Sequence, residues 1–291
     1  MSCGFPIMVG ERLRPCGKCQ GCARKRRNSW TGRMLMEQSQ HSESAFVTLT
    51  YSDDHLPTVY HEETDLWIPT LAKSHLQKWI RSVRKKVMPL GIKLRYFAAG
   101  EYGTERARPH YHVILFGIGP TWNQTFEESW NKGFVSSYLA TPASMAYVAK
   151  YCPKGGADPE LLLPTSTPHM DLTELRVTTP PFRLTSRRPA IGATFAPAIA
   201  TSLARATSHG QLYDPSQSGP ANRIRIQGTK YPLDKTMKLH LESALLDQGV
   251  NEEHVSTILN RDFGDPDGET IKKARLSHHK ATRQRGARNK L

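Results

Sequence analysis

Long hydrophobic runs are missing from this sequence of 291 residues. A helix that crosses a bilayer needs about 20 consecutive apolar residues, and a secretory signal peptide needs a shorter apolar segment near its start. Neither is found, so we expect a cytoplasmic protein that has no membrane partner. The pattern GxxxxGK followed by Ser or Thr, which marks a phosphate-binding loop, is missing as well. We therefore expect no nucleotide cofactor.

Acidic residues are missing from two stretches that are rich in lysine and arginine. Residues 12–33 and 271–291 each hold eight basic residues and no acidic one. These sixteen charges exceed the formal net charge of +14, so the rest of the chain, with 24 basic and 26 acidic residues, carries −2. Clustered positive charge favours nucleic acids, because each neutralised phosphate releases condensed counterions. A solvated tail is the alternative for 271–291. The predicted DNA contacts are Arg24, Lys25, Arg26, Arg27, Arg283 and Arg285.

Four of the five cysteines follow the spacing C-x12-C-x2-C-x2-C near the start of the chain. They are Cys3, Cys16, Cys19 and Cys22, and the fifth is Cys152. The turn-rich stretch PCGKCQGC brings thiolates together, and four sulfur ligands suit a structural zinc ion. An iron–sulfur cluster uses similar ligands, and free thiols are the third alternative. The second knuckle of a zinc ribbon is missing.

Hydrophobic periodicity predicts both helices and strands. The predicted strands cover 46–51, 93–103, 109–117 and 134–139, and the predicted helices cover 23–41, 70–88, 121–131, 141–154, 233–248 and 251–261. Residues 52–69 and 157–189 are predicted to be loops, because they are rich in proline and polar residues. The hairpin around 95–117 needs antiparallel pairing. The sequence therefore predicts an α+β fold, with a central antiparallel sheet and flanking helices.

Composition and charge divide the chain into four predicted segments. A basic, cysteine-rich segment with its helix covers 1–44, and a core covers 45–156. An irregular helical extension covers 157–270, and a basic tail covers 271–291.

The stretch RPHYHVILFG places two histidines one residue apart at the head of an apolar run. Strand side chains alternate between faces, so His110 and His112 share one face and Tyr111 points to the other. Glu101 lies nine residues before His110, on the strand expected to pair across the turn. Two imidazoles and a carboxylate suit Mn²⁺ or Mg²⁺, with zinc as an alternative. Solvated polar side chains remain the simpler explanation of each feature taken alone.

The stretch YVAKY places two tyrosines four residues apart on a short predicted helix. Tyr147 and Tyr151 therefore lie on one helix face, one turn apart. Lys150 lies between them, where an ammonium group lowers the pKa of a phenol or binds a phosphate. Together with a metal that polarises a phosphate, these residues suit phosphoryl transfer to a tyrosine. Two core tyrosines are the alternative for this motif alone.

Three stretches together resemble the three motifs of the HUH endonucleases, in the order found in initiators of rolling-circle replication. They are FVTLTY, RPHYHVILFG and YVAKYCPK. The paired tyrosines, and PCGKCQGC followed by ARKRRNSW, resemble the replication initiation proteins of microviruses, and among them the gokushovirus branch. The resemblance covers residues 1–155, with a weaker match of SRRPAIG at 186–192. The sequence departs from the family at Tyr111, where a hydrophobic residue is usual.

This resemblance implies an HUH fold, with a core like that of ferredoxin or an RNA-recognition motif. It implies a nick at the viral-strand origin, a 5′-phosphotyrosine on the enzyme, a free 3′-OH for the host polymerase, and rejoining that releases circles. It also implies that His110, His112 and Glu101 bind the catalytic Mg²⁺ or Mn²⁺, and that Tyr147 and Tyr151 alternate as nucleophiles. Strand separation would need a partner such as a host helicase, since the phosphate-binding loop is missing.

Other functions compete with this one. A non-haem iron oxygenase needs an H-x-D or H-x-E pair, which neither histidine begins. A two-histidine phosphoesterase needs a second histidine strand, and only one is found. A non-enzymatic, zinc-dependent nucleic-acid-binding module explains the cysteines and basic stretches but leaves the histidines and tyrosines without a role. Among HUH enzymes, plasmid initiators, transposases and relaxases remain alternatives.

Overall fold

The described part of the chain divides into two compact units. The structure is a computed structural model, and it describes residues 3–9, 12–103, 107–150, 177–208 and 222–259. One unit, the sheet unit, holds the described residues from 41 to 186. The other, the helical unit, holds those up to residue 40 together with those from 187 onward. The predicted boundaries after residues 156 and 270 lie outside the described residues.

The helices and strands are numbered here in chain order. The described strands are β1 (Ile7–Val9), β2 (Arg12–Arg14), β3 (Ser44–Tyr51), β4 (Thr58–His61), β5 (Leu66–Pro69), β6 (Arg95–Tyr102), β7 (Pro109–Phe116), β8 (Gly133–Leu139), β9 (Phe182–Thr185), β10 (Arg223–Ile226) and β11 (Thr229–Pro232). The described helices are α1 (Gln20–Gln38), α2 (Lys73–Val87), α3 (Asn123–Ser129), α4 (Pro142–Lys150), α5 (Ala196–Ser208), α6 (Lys235–Asp247) and α7 (Glu252–Leu259).

A five-stranded antiparallel sheet in the order β8-β3-β7-β6-β9 is the frame of the sheet unit. One face of this sheet is covered by α2, whose apolar stripe repeats at helical spacing. The buried residues of the stripe are Leu76, Trp79, Ile80, Val83 and Val87. They pack against alternate residues of the strands, which include Val47, Leu49, Tyr111, Val113 and Leu115. The predicted α+β class, with a central antiparallel sheet, is confirmed.

The helical unit is held together by α1 and a cluster around α6. Met237, Leu241 and Leu245 of α6 are fully buried in this cluster. Two charged side chains of α1 bind the segment that precedes α5. The buried Arg33 donates from Nε to the carbonyl oxygen of Ile191 (2.9 Å), and Glu37 Oε2 accepts from the backbone N–H of Gly192 (2.7 Å). Both contacts fall on the SRRPAIG stretch.

Gly192 shows why this contact needs a glycine. Its φ is +76°, in the left-handed region, and an added Cβ would lie 2.7 Å from the carbonyl oxygen of Arg33. The backbone of α1 therefore approaches this turn more closely than any side chain would allow.

Two predicted loops contain strands in the structure. The segment 52–69, expected to be a loop, holds the β4–β5 hairpin, and 157–189 holds β9 at one edge of the sheet. Each of these strands has only four residues, too few for the alternation of side chains to stand out against proline-rich surroundings. Helix α5 and the two other hairpins were not predicted either. In the described part of the chain no helix has the length and hydropathy needed to cross a membrane.

The hydroxyl of Tyr111 is a fixed point of the α2 face of the sheet. The side chain is fully buried, and its hydroxyl donates to the carbonyl oxygen of Ala72 (3.0 Å) and accepts from the N–H of the same residue (2.9 Å). The hydroxyl of Tyr51 lies 2.8 Å away and also contacts His75 Nδ1. A polar ring is tolerated here because these contacts satisfy its hydroxyl and anchor the start of α2.

This network predicts the cost of removing one oxygen atom. Tyr111→Phe leaves the buried N–H of Ala72 without its acceptor, and we expect the free energy of unfolding to fall by about 1–3 kcal/mol. Urea denaturation followed by tryptophan fluorescence measures it, since Trp79 and Trp130 belong to this core. Tyr96→Phe, on the same sheet face, is the control, because no described partner bonds its hydroxyl. Equal stability of the two variants would contradict the role of the Tyr111 hydroxyl.

Candidate active site

The register of the β6–β7 hairpin determines which side chains share a sheet face. Glu101 is paired with His110, and Ala99 is paired with His112. Directly paired residues of an antiparallel sheet point to the same side. Glu101, His110 and His112 therefore lie on one face, opposite to the face that α2 covers.

The three side chains converge on a single point. Glu101 Oε1 lies 2.9 Å from His110 Nε2 and 2.7 Å from His112 Nε2. One donor atom from each residue lies within 4.8 Å of the other two. Glu101 is 2% exposed, so its charge has little contact with solvent. The group has the spacing and the ligand types of a divalent metal site.

The other nitrogen of each imidazole is held by a neighbour. His110 Nδ1 lies 3.0 Å from the carbonyl oxygen of Arg108, which only accepts, so Nδ1 carries the proton and Nε2 faces the centre. His112 Nδ1 lies 3.0 Å from Thr48 Oγ1. Metal-binding histidines usually have such a partner, because it fixes the tautomer and the orientation of the ring.

Unsatisfied atoms at the centre show that a cation fits there. Glu101 Oε2 and His112 Nε2 are buried and have no hydrogen-bond partner in the described part of the chain. The 2.7 Å contact between His112 Nε2 and Glu101 Oε1 is close, but its angles are not those of a hydrogen bond. Lone pairs that converge in a buried place repel one another unless a positive charge lies between them. The residues therefore fit a bound metal ion.

The protonation states suit the same role. Burial alone would raise the pKa of Glu101, but the contacts with His110 and His112 outweigh it and hold that pKa at about 2. Burial lowers the pKa of His112 below its usual value. For His110, burial is outweighed by the contact with Glu101, which raises its pKa. An ionised carboxylate and a neutral imidazole are the forms that bind metals.

Helix α4 brings Tyr147 to this centre. Thr141 caps the helix, because its Oγ1 accepts from the N–H of Ser144 (3.1 Å). Met145, Val148 and Ala149 are buried and hold the helix on the sheet. Tyr147 is 41% exposed, yet its hydroxyl donates to Glu101 Oε1 at 3.0 Å.

The ring of Tyr147 also lies edge-on to that of His112, with 5.0 Å between the ring centroids. Its phenol is therefore in reach of any ligand that the three side chains bind. Lys150 is the last residue of α4 and is exposed. Tyr151 lies outside the described residues.

Two exposed aromatic side chains share the sheet face of the histidines. Phe134 of the edge strand β8 is paired with Thr50, which is paired in turn with His110. Tyr138 lies four residues further along β8, on the same face, and its partner Phe46 stacks on His112 at 5.6 Å. Phe134 and Tyr138 are 71% and 64% exposed. Exposed aromatic rings on a sheet can stack with unpaired bases.

Three of these residues were missed from the sequence. Thr48 was available in principle, because it alternates with the buried residues of FVTLTY and must therefore share a face with the histidines if the strands pair. Phe134 and Tyr138 were read only as strand residues. No single-strand pattern shows that their face lacks a covering helix at that edge.

The four N-terminal cysteines also come together. The sulfur of Cys3 lies 3.5 Å from that of Cys16 and 3.8 Å from that of Cys19. All four sulfurs, with that of Cys22, lie within 4.8 Å of one another, and none forms a disulfide. The spacing thus forms a second group that could hold a metal.

The predicted DNA-contacting residues of α1 differ in exposure. Arg24 and Lys25 are exposed, whereas Arg26 and Arg27 are half-buried. Arg26 donates from both terminal nitrogens to the carbonyl oxygen of Gly17, at 3.1 and 3.3 Å. Arg283 and Arg285 lie outside the described residues.

Known proteins resemble this chain over the same region. Residues 44–156 match a family model of replication-associated proteins of the ORF2 type. The chain is 36% identical over 157 residues to replication-associated protein ORF2 of Spiroplasma virus 4, covering 48% of each chain. It is 29% identical over 160 residues to replication-associated protein ORF4 of Chlamydia phage 1, covering 48% of this chain and 38% of the relative.

A third relative is replication-associated protein VP4 of Bdellovibrio phage phiMH2K, which is 27% identical over 157 residues and 48% covered. The chain thus spans about half the length, or less, of the curated relatives it matches. No solved structure matches the chain. The resemblance to the replication proteins of microviruses, drawn from the motifs, is confirmed by these matches.

The contact between Thr48 and His112 predicts a change in metal affinity. Thr48→Val keeps the shape of the side chain but removes the partner of His112 Nδ1, and we expect Mn²⁺ to bind about 10- to 100-fold more weakly. Isothermal titration calorimetry measures this. Thr50→Val is the matched control, because Thr50 lies on the same strand face and its hydroxyl contacts the carbonyl oxygen of Phe134 instead. Equal losses in both variants would contradict the assignment.

Proposed function

Since the chain is related to replication-associated proteins of microviruses, we propose that it initiates rolling-circle replication by nicking single-stranded origin DNA. The nick leaves a 5′-phosphotyrosine on the enzyme and a free 3′-OH, and a later rejoining releases circles. One observation carries the proposal: the phenol of Tyr147 lies 3.0 Å from Glu101 Oε1, beside both imidazoles. Phosphoryl transfer to a phenol needs the nucleophile and a metal ion to meet the same phosphate.

Each residue of the site has a task in this reaction. Glu101, His110 and His112 hold the ion. A bound Mg²⁺ or Mn²⁺ polarises the scissile phosphate and stabilises charge on the leaving oxygen. Tyr147 Oη forms a bond to phosphorus as the bond from phosphorus to O3′ breaks. The phenol loses its proton, and the departing O3′ gains one to become a hydroxyl.

A second phenol explains how the circle is closed. While one DNA end stays attached to Tyr147, Tyr151 cuts the regenerated origin, and the new 3′-OH attacks the first phosphotyrosine. That attack forms the phosphodiester and returns Tyr147 as a free phenol. Lys150, next to both in the sequence, stabilises the phenolate or the phosphate. The two tyrosines exchange roles from one round to the next.

The exposed aromatic face supplies a place for the DNA strand. Phe134 lies two strands away from His110 in the same row of the sheet, which is about 10 Å across. Bases stacked on Phe134 and Tyr138 would therefore lead the backbone toward the metal centre. Stacking depends on the ring and not on base identity, so it suits a single strand.

The proposal also implies partners. A host DNA polymerase extends the 3′-OH, and a host helicase separates the strands, since the sequence has no phosphate-binding loop. The basic residues of α1, with Arg283 and Arg285, add affinity through phosphate charge and not through base sequence.

The tyrosines predict the outcome of an adduct experiment. With Mn²⁺ and single-stranded origin DNA, the wild-type protein should form a covalent adduct that survives denaturing electrophoresis. Tyr147→Phe and Tyr151→Phe should each keep some single cleavage but lose repeated circle release. The double variant should form no adduct, and peptide mapping of the wild type should find DNA on both positions.

Two controls separate this function from its alternatives. His110→Ala/His112→Ala should form no adduct but keep much of its DNA affinity, because phosphate contacts lie elsewhere. A non-enzymatic binding module would form no adduct even in the wild type. A transposase or relaxase would form one without releasing unit circles. Nicking that persists in the double histidine variant, or in EDTA, would contradict the metal mechanism.

The aromatic face predicts a loss of DNA affinity. Phe134→Ala and Tyr138→Ala should each weaken binding of single-stranded DNA by about 1–3 kcal/mol, because a stacked base is lost. Fluorescence anisotropy measures this, and Tyr138→Phe should keep the affinity. Leu139→Ala is the matched control, since Leu139 is 67% exposed on the same strand but points to the other face. Equal effects of Tyr138→Ala and Leu139→Ala would exclude stacking on this face.

A further inference from the structure

The four N-terminal cysteines form a group that the nicking reaction does not use. They belong to the helical unit, whereas the histidines, Glu101 and Tyr147 belong to the sheet unit. We propose that Cys3, Cys16, Cys19 and Cys22 bind one structural Zn²⁺, which ties the β1–β2 hairpin to the first turn of α1. Binding would release the protons of the thiols, since zinc binds thiolates.

The sulfur distances favour a single ion. With zinc–sulfur bonds of about 2.3 Å, the sulfurs of a tetrahedral site lie about 3.8 Å apart. The sulfur of Cys3 lies 3.5 Å from that of Cys16 and 3.8 Å from that of Cys19, and the largest separation in the group is within 4.8 Å. An iron–sulfur cluster places several iron and sulfide atoms between its cysteines and needs wider spacing. A disulfide needs sulfurs about 2.05 Å apart.

Local backbone geometry supports the same conclusion. The N–H of Cys16 donates to the sulfur of Cys3 (3.2 Å), and the N–H of Cys19 donates to the sulfur of Cys16 (3.3 Å). Such bonds stabilise negative charge on the sulfurs, as the outer partners of metal ligands do. Gly17 has a φ of +76°, which lets the chain turn between Cys16 and Cys19.

The elements that carry the cysteines explain why four distant positions meet. In the β1–β2 hairpin Ile7 is paired with Arg14, so Cys3, four residues before Ile7, returns beside Cys16. Cys19 is the N-cap of α1, and Cys22 lies in its first turn. All four ligands would come from protein, which leaves no open position for water and defines a structural site.

The hairpin needs such a site because it has almost no core of its own. Each strand has three residues, and Ile7, Met8 and Val9 are 50%, 61% and 57% exposed. A two-stranded hairpin of this length is not stable alone. By contrast, Cys3 and Cys19 are only 8% and 6% exposed. The buried part of this region is therefore the sulfur group itself.

Elemental analysis of the purified full-length chain tests the proposal. The His110→Ala/His112→Ala variant removes the other candidate metal centre and should still carry about one zinc per chain. Cys16→Ser and Cys19→Ser in the same background should lose at least about tenfold of that zinc, because three sulfurs hold the ion poorly. Cys152→Ser, which changes the fifth cysteine, should keep it.

A second measurement does not depend on the variants folding. Replacing zinc with Co²⁺ in the double histidine variant should give the intense visible bands of tetrahedral cobalt and the near-ultraviolet bands of thiolate ligands. Trypsin should cut at Lys18 slowly with metal and quickly after chelation, since Lys18 lies inside the sulfur group. Bound iron with inorganic sulfide, disulfides, or four thiols that react equally fast with and without chelator would each overturn the proposal.

Discussion

The pairing of Glu101 with His110 across the β6–β7 hairpin is the constraint on which the candidate site depends. Because strand side chains alternate, a slip of one residue would turn the carboxylate to the opposite face from both imidazoles. The other face resists that slip. Tyr111 is fully buried there and bonds to the backbone of Ala72, so the register that buries Tyr111 also gathers the ligands.

The sheet thus separates stability from chemistry by face. The face under α2 is packed with apolar residues and satisfied hydroxyls, whereas the other face holds a buried charge and unsatisfied nitrogen and oxygen atoms. A buried Glu101 costs free energy unless it is paired, and only a rigid frame keeps such a group in place. The contacts of His110 with Arg108 and of His112 with Thr48 extend that frame to the imidazoles.

Sequence alone could predict what depends on periodicity. The stripe of α2 and the shared face of His110, His112 and Glu101 follow from periods of 3.6 and 2, and the structure has both. The four-residue strands β4, β5 and β9 could not be predicted, since their positions depend on partners distant in sequence. The meeting of Cys3 with Cys16 depends on a three-residue hairpin, for which the sequence has no clear signal. Exposure of Phe134 and Tyr138 is likewise a property of the assembled sheet.

The position of Tyr147 has a consequence for how a nucleophile can serve such a site. Helix α4 is fixed by Met145, Val148 and Ala149, so the backbone beneath Tyr147 need not move. Its phenol bonds to Glu101 Oε1, yet the side chain is 41% exposed. Rotation about the side-chain bonds can therefore release the phenol from the carboxylate and turn it toward a phosphate. The hydrogen bond that holds Tyr147 in place is one that an incoming ion would weaken, because Glu101 Oε1 cannot serve both equally. Metal binding and release of the nucleophile would then be a single event.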